Sequence, residues 1–432
     1  MNVDVVVLGC GWAGVIASEI ISERGYQVTC LEREDVIGGL LRTEIINGFT
    51  IDTGGSHVIF SKNKEVLGRI ISILGGNVVY HYRNSFIRLG DILVPYPLEN
   101  GLHVLPVEER YEAIVSFLEA LQLLKDNWAP RNLEEWIRGF FGKWIANKYL
   151  IPYNEKIWKR PLNEIDVDWV FTPGRLPIPD WREVVKSALG IPTMGYVEQA
   201  RFYYPARGGI HSLAKRVFER ALSLGARFLT NFSVNSIRKT GNHFVINGNI
   251  ECKRIVNTIP IPELIEISEL LQHELREIKD FDYNKVVIVA IALDEPAPNH
   301  HWIYVPDKDI SFHRYAWISN YSPYNSPPGK SLLIAEITIP KGAKIPADIS
   351  ERVLRDFERL GAIDTRKVIF EKTYVHEYGY PIHTLNLSSK RSEILQEMER
   401  LGITSVGRWG KWRYLNMDMV LADVLASVGF LI

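Results

Sequence analysis

One segment near the start of the chain constrains the fold more than any other. Residues 4–8 (DVVVL) are a short β-branched run of the kind that fills a central parallel strand. Gly9-Cys10-Gly11-Trp12-Ala13-Gly14 follows at once, and VIASEIISERG then spaces Val15, Ile16, Ile20 and Ile21 as a helix does. Gly25-Tyr26 reads as a turn, and residues 27–31 (QVTCL) as a second strand that runs into Glu32. Strand, glycine turn, helix and strand in this order form a dinucleotide-binding βαβ unit. The glycines permit the tight turn, the approach of a pyrophosphate and close helix–strand contact, while the helix N-terminus supplies N–H donors. Glu32 lies 23 residues after Gly9, where a carboxylate can accept both hydroxyls of an adenosine ribose. An isolated GxGxxG says little; the strand before it, the helix after it and the acid in place carry the assignment.

The next turn separates FAD from NAD. Gly38-Gly39 follows the ribose acid by six residues and leads through Leu40-Leu41 to Arg42-Thr43. A glycine pair there lets the backbone run beside a flavin pyrophosphate, with Arg42 available to a phosphate. A plain β-turn followed by an exposed Arg is the alternative.

Composition closes off other classes. Apolar residues make up 46% and charged residues 23% of 432, so an extensively disordered chain is excluded. Fifty Lys and Arg against 51 Asp and Glu leave a net charge of −1, which argues against nucleic acid and against a polybasic membrane surface. Three cysteines, Cys10, Cys30 and Cys252, cannot build a disulfide framework, and none sits in a CxxC or Cys/His cluster, which argues against zinc. The opening MNVDVVVLGCG carries no basic segment typical of a signal peptide, and no apolar run reaches the roughly 18 residues of a membrane span. The expected setting is soluble, reducing and cytoplasmic.

No internal repeat or low-complexity tract appears. Residues 51–60 read as strand, glycine turn and strand. From about 107 to 154 the pattern is helical, with Tyr111, Ile114, Val115, Leu118 and Leu121 on one stripe and Trp136, Phe140, Trp144 and Tyr149 on the next. A Gly-Gly turn at 208–209 enters a helix, and 228–238, 243–247 and 251–258 read as strands. Residues 284–294, 312–318 and 331–338 are the clearest strands of a second sheet, with helices at about 348–360 and 388–401. The expected fold is α/β. Segments 1–75, 200–260 and 400–432 form a discontinuous Rossmann-like FAD-binding domain, 76–199 a mainly helical insertion, and 261–399 a mixed or antiparallel sheet domain for substrate. The interleaving is an inference from pattern and resemblance together.

The most specific stretch is C-terminal: Gly407-Arg408-Trp409-Gly410-Lys411-Trp412-Arg413-Tyr414-Leu415-Asn416-Met417-Asp418. With the GGxxRT block at 38–43 it resembles the UDP-galactopyranose mutases, within the wider group of flavin amine oxidases and protoporphyrinogen oxidases. Trp412 and Asn416 stand where that family usually has Tyr and Asp. Asn416 is a good N-cap for the helix that follows, whose free N–H groups would stabilise negative charge on a reduced flavin; an ordinary capped helix is the alternative. The resemblance implies FAD in a glutathione-reductase-type fold, active when reduced, with Val234, Arg408, Asn416 and Met417 joining Gly9, Gly11, Gly14, Glu32, Gly38, Gly39 and Arg42 around it. It implies a turn against the flavin at Gly55-Ser56-His57, although His57 also reads as a turn or core histidine. It places Trp158 at the uracil, where a core Trp is the alternative, and Arg175 at the substrate, where a loop-capping Arg fits as well. Arg314, Tyr380 and Tyr414 are implied at the substrate diphosphate, and Arg suits that position because its planar fork binds phosphate through two bonds.

The implied catalytic set is therefore His57, Arg175, Arg314, Tyr380 and Tyr414, with Trp158 added for substrate and no metal. The implied activity is isomerisation of a UDP-sugar between pyranose and furanose forms through a reduced-flavin N5–sugar adduct. A reductant such as NAD(P)H or a reductase, and a homodimer, are the expected partners. An amine oxidase or protoporphyrinogen oxidase would share the cofactor motifs equally but has no use for Arg314 and two tyrosines at a diphosphate. A catalytically silent flavin scaffold is the third reading, and retention of His57, Arg314 and Tyr414 speaks against it.

Overall fold

The computed structural model describes residues 1–124, 128–170, 178–193, 195–196 and 200–429. Strand β1 (Asn2–Leu8), helix α1 (Trp12–Glu23) and strand β2 (Val28–Leu31) form the expected βαβ unit. Every residue of β2 is buried and helix α1 is buried along eleven of its twelve positions, as a central parallel unit covered on both faces requires. Leu8 pairs with Leu31 on one side and with Asn257 on the other, all in parallel.

That pairing shows how the chain returns. The strand Ile250–Asn257 lies beside β1, and Arg227–Leu229 lies beside β2. Ile403–Ser405 adds to the far half of Ile250–Asn257, while the hairpin of Ile237–Thr240 and His243–Ile246 pairs with its near half. The sequence presents 228–238 as one strand, but it breaks into two. Residues 232–236 leave the sheet, with Asn231 and Phe232 hydrogen-bonded to the carbonyls of Glu34 and Glu32. The second strand of 51–60 shrinks to a single bridge between Ile59 and Tyr203.

The second sheet also has seven strands, in the order Val368–Pro381, Tyr283–Leu293, Ser331–Pro340, Arg314–Trp317, Trp302–Tyr304, Ser85–Leu89 and Ile92–Pro95. It is antiparallel except where Trp302–Tyr304 meets Ser85–Leu89. The latter strand and Ile92–Pro95 come from the segment read as helical, with a turn at Gly90 (φ +58) closing their hairpin. Helices Val107–Leu123 and Leu133–Ile145 pack together further along that segment. Gly142 (φ +74) sits so close to Ser116 that an added Cβ would lie 2.5 Å from its carbonyl oxygen. Ala113 and Phe117 face that contact, whereas Tyr111, read as part of the apolar stripe, is 68% exposed. Cys10 and Cys30, both fully buried, are paired as a disulfide between the glycine turn and β2, a link the spacing of three cysteines did not suggest.

Candidate active site

A single cavity of about 1490 Å³ runs between the two sheets. Ordinary ligand pockets span roughly 300–1,000 Å³, so this one has room for a cofactor and a substrate together. Every sequence-predicted site residue that the structure describes lines it, with the exception of Gly14. Arg175 lies outside the described residues.

Backbone builds the cofactor end. Gly9 (φ +84) turns the chain, and a Cβ on it would meet the Thr258 hydroxyl at 2.8 Å. A Cβ on Gly14 would lie 1.9 Å from the Gly9 carbonyl oxygen, so this glycine serves helix–strand packing and lines no cavity. Gly11 differs: the nearest atom to an added Cβ is the Gly39 Cα at 3.8 Å. The glycine turn and the Gly38-Gly39 turn thus lie side by side, bridged at Gly11 and Gly38 and tied by the Gly38 N–H to the Cys10 carbonyl at 2.9 Å. No side chain caps helix α1, so its first-turn N–H groups are available to an anion. Glu32, 8% exposed, is steadied by N–H groups of Cys10 (2.9 Å) and Glu34 (3.1 Å), one on each oxygen. Arg42 donates to the Val36 carbonyl at 2.8 Å while its Nε is buried with no partner among the described residues. Val234 sits on the segment that crosses from Glu32. The open cradle, the steadied carboxylate and the waiting guanidinium N–H fit a dinucleotide.

The C-terminal block closes this end. Gly407 (φ +79) brings the chain against α1, where an added Cβ would lie 2.6 Å from that of Ala13. Arg408 braces the Leu415 carbonyl through Nε and a terminal nitrogen, at 3.0 and 2.8 Å, and its guanidinium lies 4.6 Å above the Tyr414 ring. The Trp12 indole donates to the Met417 carbonyl at 2.9 Å. Asn416 occupies the N-cap position of the helix Met417–Val428, yet its side chain makes no capping bond, contrary to expectation. Its extended backbone (ψ 170) starts the helix without that bond, and the first turn carries the Asp418 carboxylate.

Side chains build the other end. Arg314 and Glu336 face each other in register on adjacent strands. One Arg314 nitrogen donates to both Glu336 oxygens, at 2.8 and 2.7 Å, and its Nε is buried without a partner among the described residues. Burial opposes the guanidinium charge, but Glu336 more than offsets this and raises its pKa well above the ordinary range. Glu336, 1% exposed, also accepts the Ser56 N–H at 2.9 Å. It therefore joins Arg314 to the Gly55-Ser56-His57 turn. His57 donates Nδ1–H to the Gly55 carbonyl at 3.0 Å, since that oxygen can only accept, so its Nε2 is an acceptor. Burial, then the charge of Arg408, pushes the imidazole down to about 3 and keeps it neutral.

Tyr380 and Tyr414 stack face to face, 5.6 Å apart and 11° from parallel. Burial, then Glu336, raises the Tyr380 phenol and keeps it protonated as a donor. Trp158 meets both rings edge-on at 6.4 and 6.2 Å and is 1% exposed, so it forms part of the wall and offers no open stacking face. A further aromatic wall stands beyond them, outside the residues singled out by the sequence. Tyr153 meets Tyr304 at 5.4 Å, Tyr96 meets Tyr304 at 5.1 Å, and Arg83 lies between Tyr96 (3.8 Å) and Trp302 (4.7 Å) while donating to the Tyr304 hydroxyl. Tyr153, five residues before Trp158, was the one available signal.

A glycine cradle under a ribose carboxylate, with a second helix end across the cavity, defines a Rossmann-type flavoprotein. The pattern of the flavin containing amine oxidoreductases matches residues 175–397, just over half of the chain, and that of the NAD(P)-binding Rossmann-like domain matches 7–74. The chain belongs to the flavin containing amine oxidoreductase family, and its cofactor is FAD. Its fold is that of the crystal structure of a reduced UDP-galactopyranose mutase: TM-score 0.90, 23% identity, 99% of this chain and 94% of that one. UDP-galactopyranose mutase of Mycoplasma pneumoniae is 24% identical over 181 residues, 38% of this chain. The 4,4'-diapolycopene oxygenase of a Methylomonas species is 22% identical over 421 residues, 86% of this chain and 84% of that protein. The chain spans 42% of the length of the mycoplasma mutase and 57% of a mycobacterial relative. No described helix is long and apolar enough to cross a membrane.

Proposed function

We propose that this chain is an FAD-dependent isomerase of the UDP-galactopyranose mutase type, interconverting the pyranose and furanose forms of a UDP-sugar. The observation that carries the reading is Arg314, locked by Glu336 beside the His57 turn and next to the Tyr380–Tyr414 pair. Reduced FAD supplies a nucleophilic ring nitrogen, which lets a sugar change ring size with no net redox. The chain's own residues have the remaining tasks. Glu336 holds Arg314 through one terminal nitrogen and so fixes the guanidinium at the cavity wall, where its remaining N–H groups serve phosphate oxygens. Tyr380 donates a hydrogen bond to the departing diphosphate. His57, neutral, adds no positive charge there and offers an acceptor. The N-terminal end of the helix Met417–Val428, through its dipole, favours negative charge on the reduced cofactor.

The cytoplasmic setting, a reductant such as NAD(P)H or a reductase, and a homodimer belong to this same reading. So does the three-part division at 75, 200, 260 and 400, which the shared sheet of β1, Ile250–Asn257 and Ile403–Ser405 supports. An FAD oxidoreductase of the amine oxidase or protoporphyrinogen oxidase type is the second reading, favoured by the wall of Tyr96, Tyr153, Tyr304 and Trp302, which suits an apolar or amine donor. Dithionite-reduced protein with UDP-galactofuranose decides between them. Interconversion with the pyranose form, absent from oxidised protein and without consumption of reductant, is the expected outcome. Oxygen uptake stoichiometric with an organic donor, and no isomerisation, overturns the mutase reading.

A further inference from the structure

Behind the tyrosine pair lies a buried group that touches neither the cavity nor the cofactor cradle. His383, 3% exposed, accepts the Tyr414 backbone N–H on Nε2 at 3.3 Å. Its proton therefore sits on Nδ1, which faces Asp168 Oδ1 at 2.7 Å. The other Asp168 oxygen accepts from Arg391 at 3.2 Å, and Arg391 reaches the Trp412 carbonyl at 3.4 Å. One carboxylate thus fastens the 412–414 turn at both ends, through a histidine on one side and an arginine on the other. The turn needs fastening, because Trp412 holds a left-handed backbone (φ +49) that residues other than glycine seldom adopt.

A second line runs from the same carboxylate. Trp169, its chain neighbour, meets Trp158 edge-on at 5.2 Å, and Trp158 in turn braces Tyr380 and Tyr414. The Asp166 N–H also holds the His383 carbonyl at 2.7 Å, so loop 166–169 and residue 383 move as one piece.

The geometry points to Asp168 and His383 as positioning residues that set the Tyr380–Tyr414 wall of the substrate chamber. They act through the Tyr414 backbone and through the indoles, and never on the substrate itself. The functional consequence rests on the UDP-sugar reading; the structural one does not.

Two measurements on the FAD-loaded full-length protein separate these. Amide hydrogen exchange in the 412–416 peptide should quicken about tenfold in Asp168→Ala and in His383→Leu, as the loss of one held hydrogen bond implies, with core peptides of β1 and β2 unchanged. UDP titration, followed by flavin absorbance, should show a Kd raised about fivefold in both variants at unchanged FAD content. Asp168→Asn keeps one acceptor oxygen for His383 and should recover most of both, and it serves if the alanine variant does not fold. Exchange equal to wild type in the variants overturns the positioning role. Faster exchange with UDP affinity intact overturns its functional consequence. If wild type binds no UDP while exchange still quickens, the UDP-sugar reading fails and the positioning role stands.

Discussion

The two ends of the cavity are built from different materials. At the cofactor end the working atoms are mostly backbone: N–H groups at two helix starts and the bare faces of Gly11 and Gly39. At the other end they are side chains brought from residues 57, 158, 314, 336, 380 and 414. A backbone cradle tolerates no added atom, whereas a side-chain constellation can lose one member and keep its shape. The same contrast governs what can vary. On the proposed reading, an exchange among the side chains changes what is bound, while a side chain added at these glycines keeps the cofactor out.

The sharpest test of that contrast is within the glycine turn. Gly14→Ala forces a Cβ against the Gly9 carbonyl and should cost on the order of 3 kcal/mol of stability, read as a lowered denaturant midpoint. Gly11→Val brings its Cβ no closer than 3.8 Å to the Gly39 Cα, an ordinary contact, and should leave the midpoint of the cofactor-free protein nearly unchanged. It should nevertheless purify colourless and refuse added FAD. A yellow Gly11→Val protein breaks the assignment of this turn to the pyrophosphate.

Arg314→Ala comes next. It should raise the Kd for UDP by roughly 1.5–3 kcal/mol, and Arg314→Lys should recover only part of this because the fork is lost. FAD should stay bound in both. Unchanged UDP affinity in the alanine variant takes Arg314 out of the substrate site.

Asp52 is buried and accepts from the Tyr204 hydroxyl and Thr43 hydroxyl, both at 2.7 Å, and from the Ile210 N–H at 3.1 Å. Burial lifts its carboxyl from 3.8 to about 6. Between these values the folded chain holds a proton that the unfolded chain has lost. The stabilisation this represents is complete below about pH 3.8 and disappears as pH rises through 6, a swing on the order of 3 kcal/mol. Relative to Asp52→Asn, wild type should therefore lose stability from pH 4 to 7, as read by denaturant midpoints. A constant difference across that window refutes the raised carboxyl.

The smallest effect belongs to Asn416. Because its side chain makes no capping bond, Asn416→Ala should change stability by less than the ~1 kcal/mol usual for a lost cap. A shift in flavin reduction potential on Asn416→Asp, from a charge added beside the reduced ring, is the readout expected to move.

Legibility in the sequence follows the same division. The βαβ unit could be read because its chemistry is local: strand, glycines, helix and acid lie within 32 residues. The strand Val368–Pro381 escaped notice because it alternates exposed and half-buried positions without an apolar run. The Ser85–Leu89 and Ile92–Pro95 hairpin escaped because short strands next to long helical stretches leave little periodic signal. Arg314, Tyr380 and Tyr414 were found through resemblance, and nothing in their spacing shows that they share a cavity. Glu336 was visible only as part of a strand, since its role depends on pairing across 22 residues with Arg314.

The sheet that carries the cradle has a consequence for the order in which the protein is made. Its first strand, residues 2–8, finds one neighbour at 250–257, and that neighbour is completed by 403–405. Residues as far apart as 2–8 and 403–405 must both be present before the cradle's sheet closes. Contacts of such sequence separation form slowly, and the apolar face of β1 waits in the meantime. Cofactor capture is accordingly expected late in folding, and free FAD in the medium should speed refolding only in its final phase.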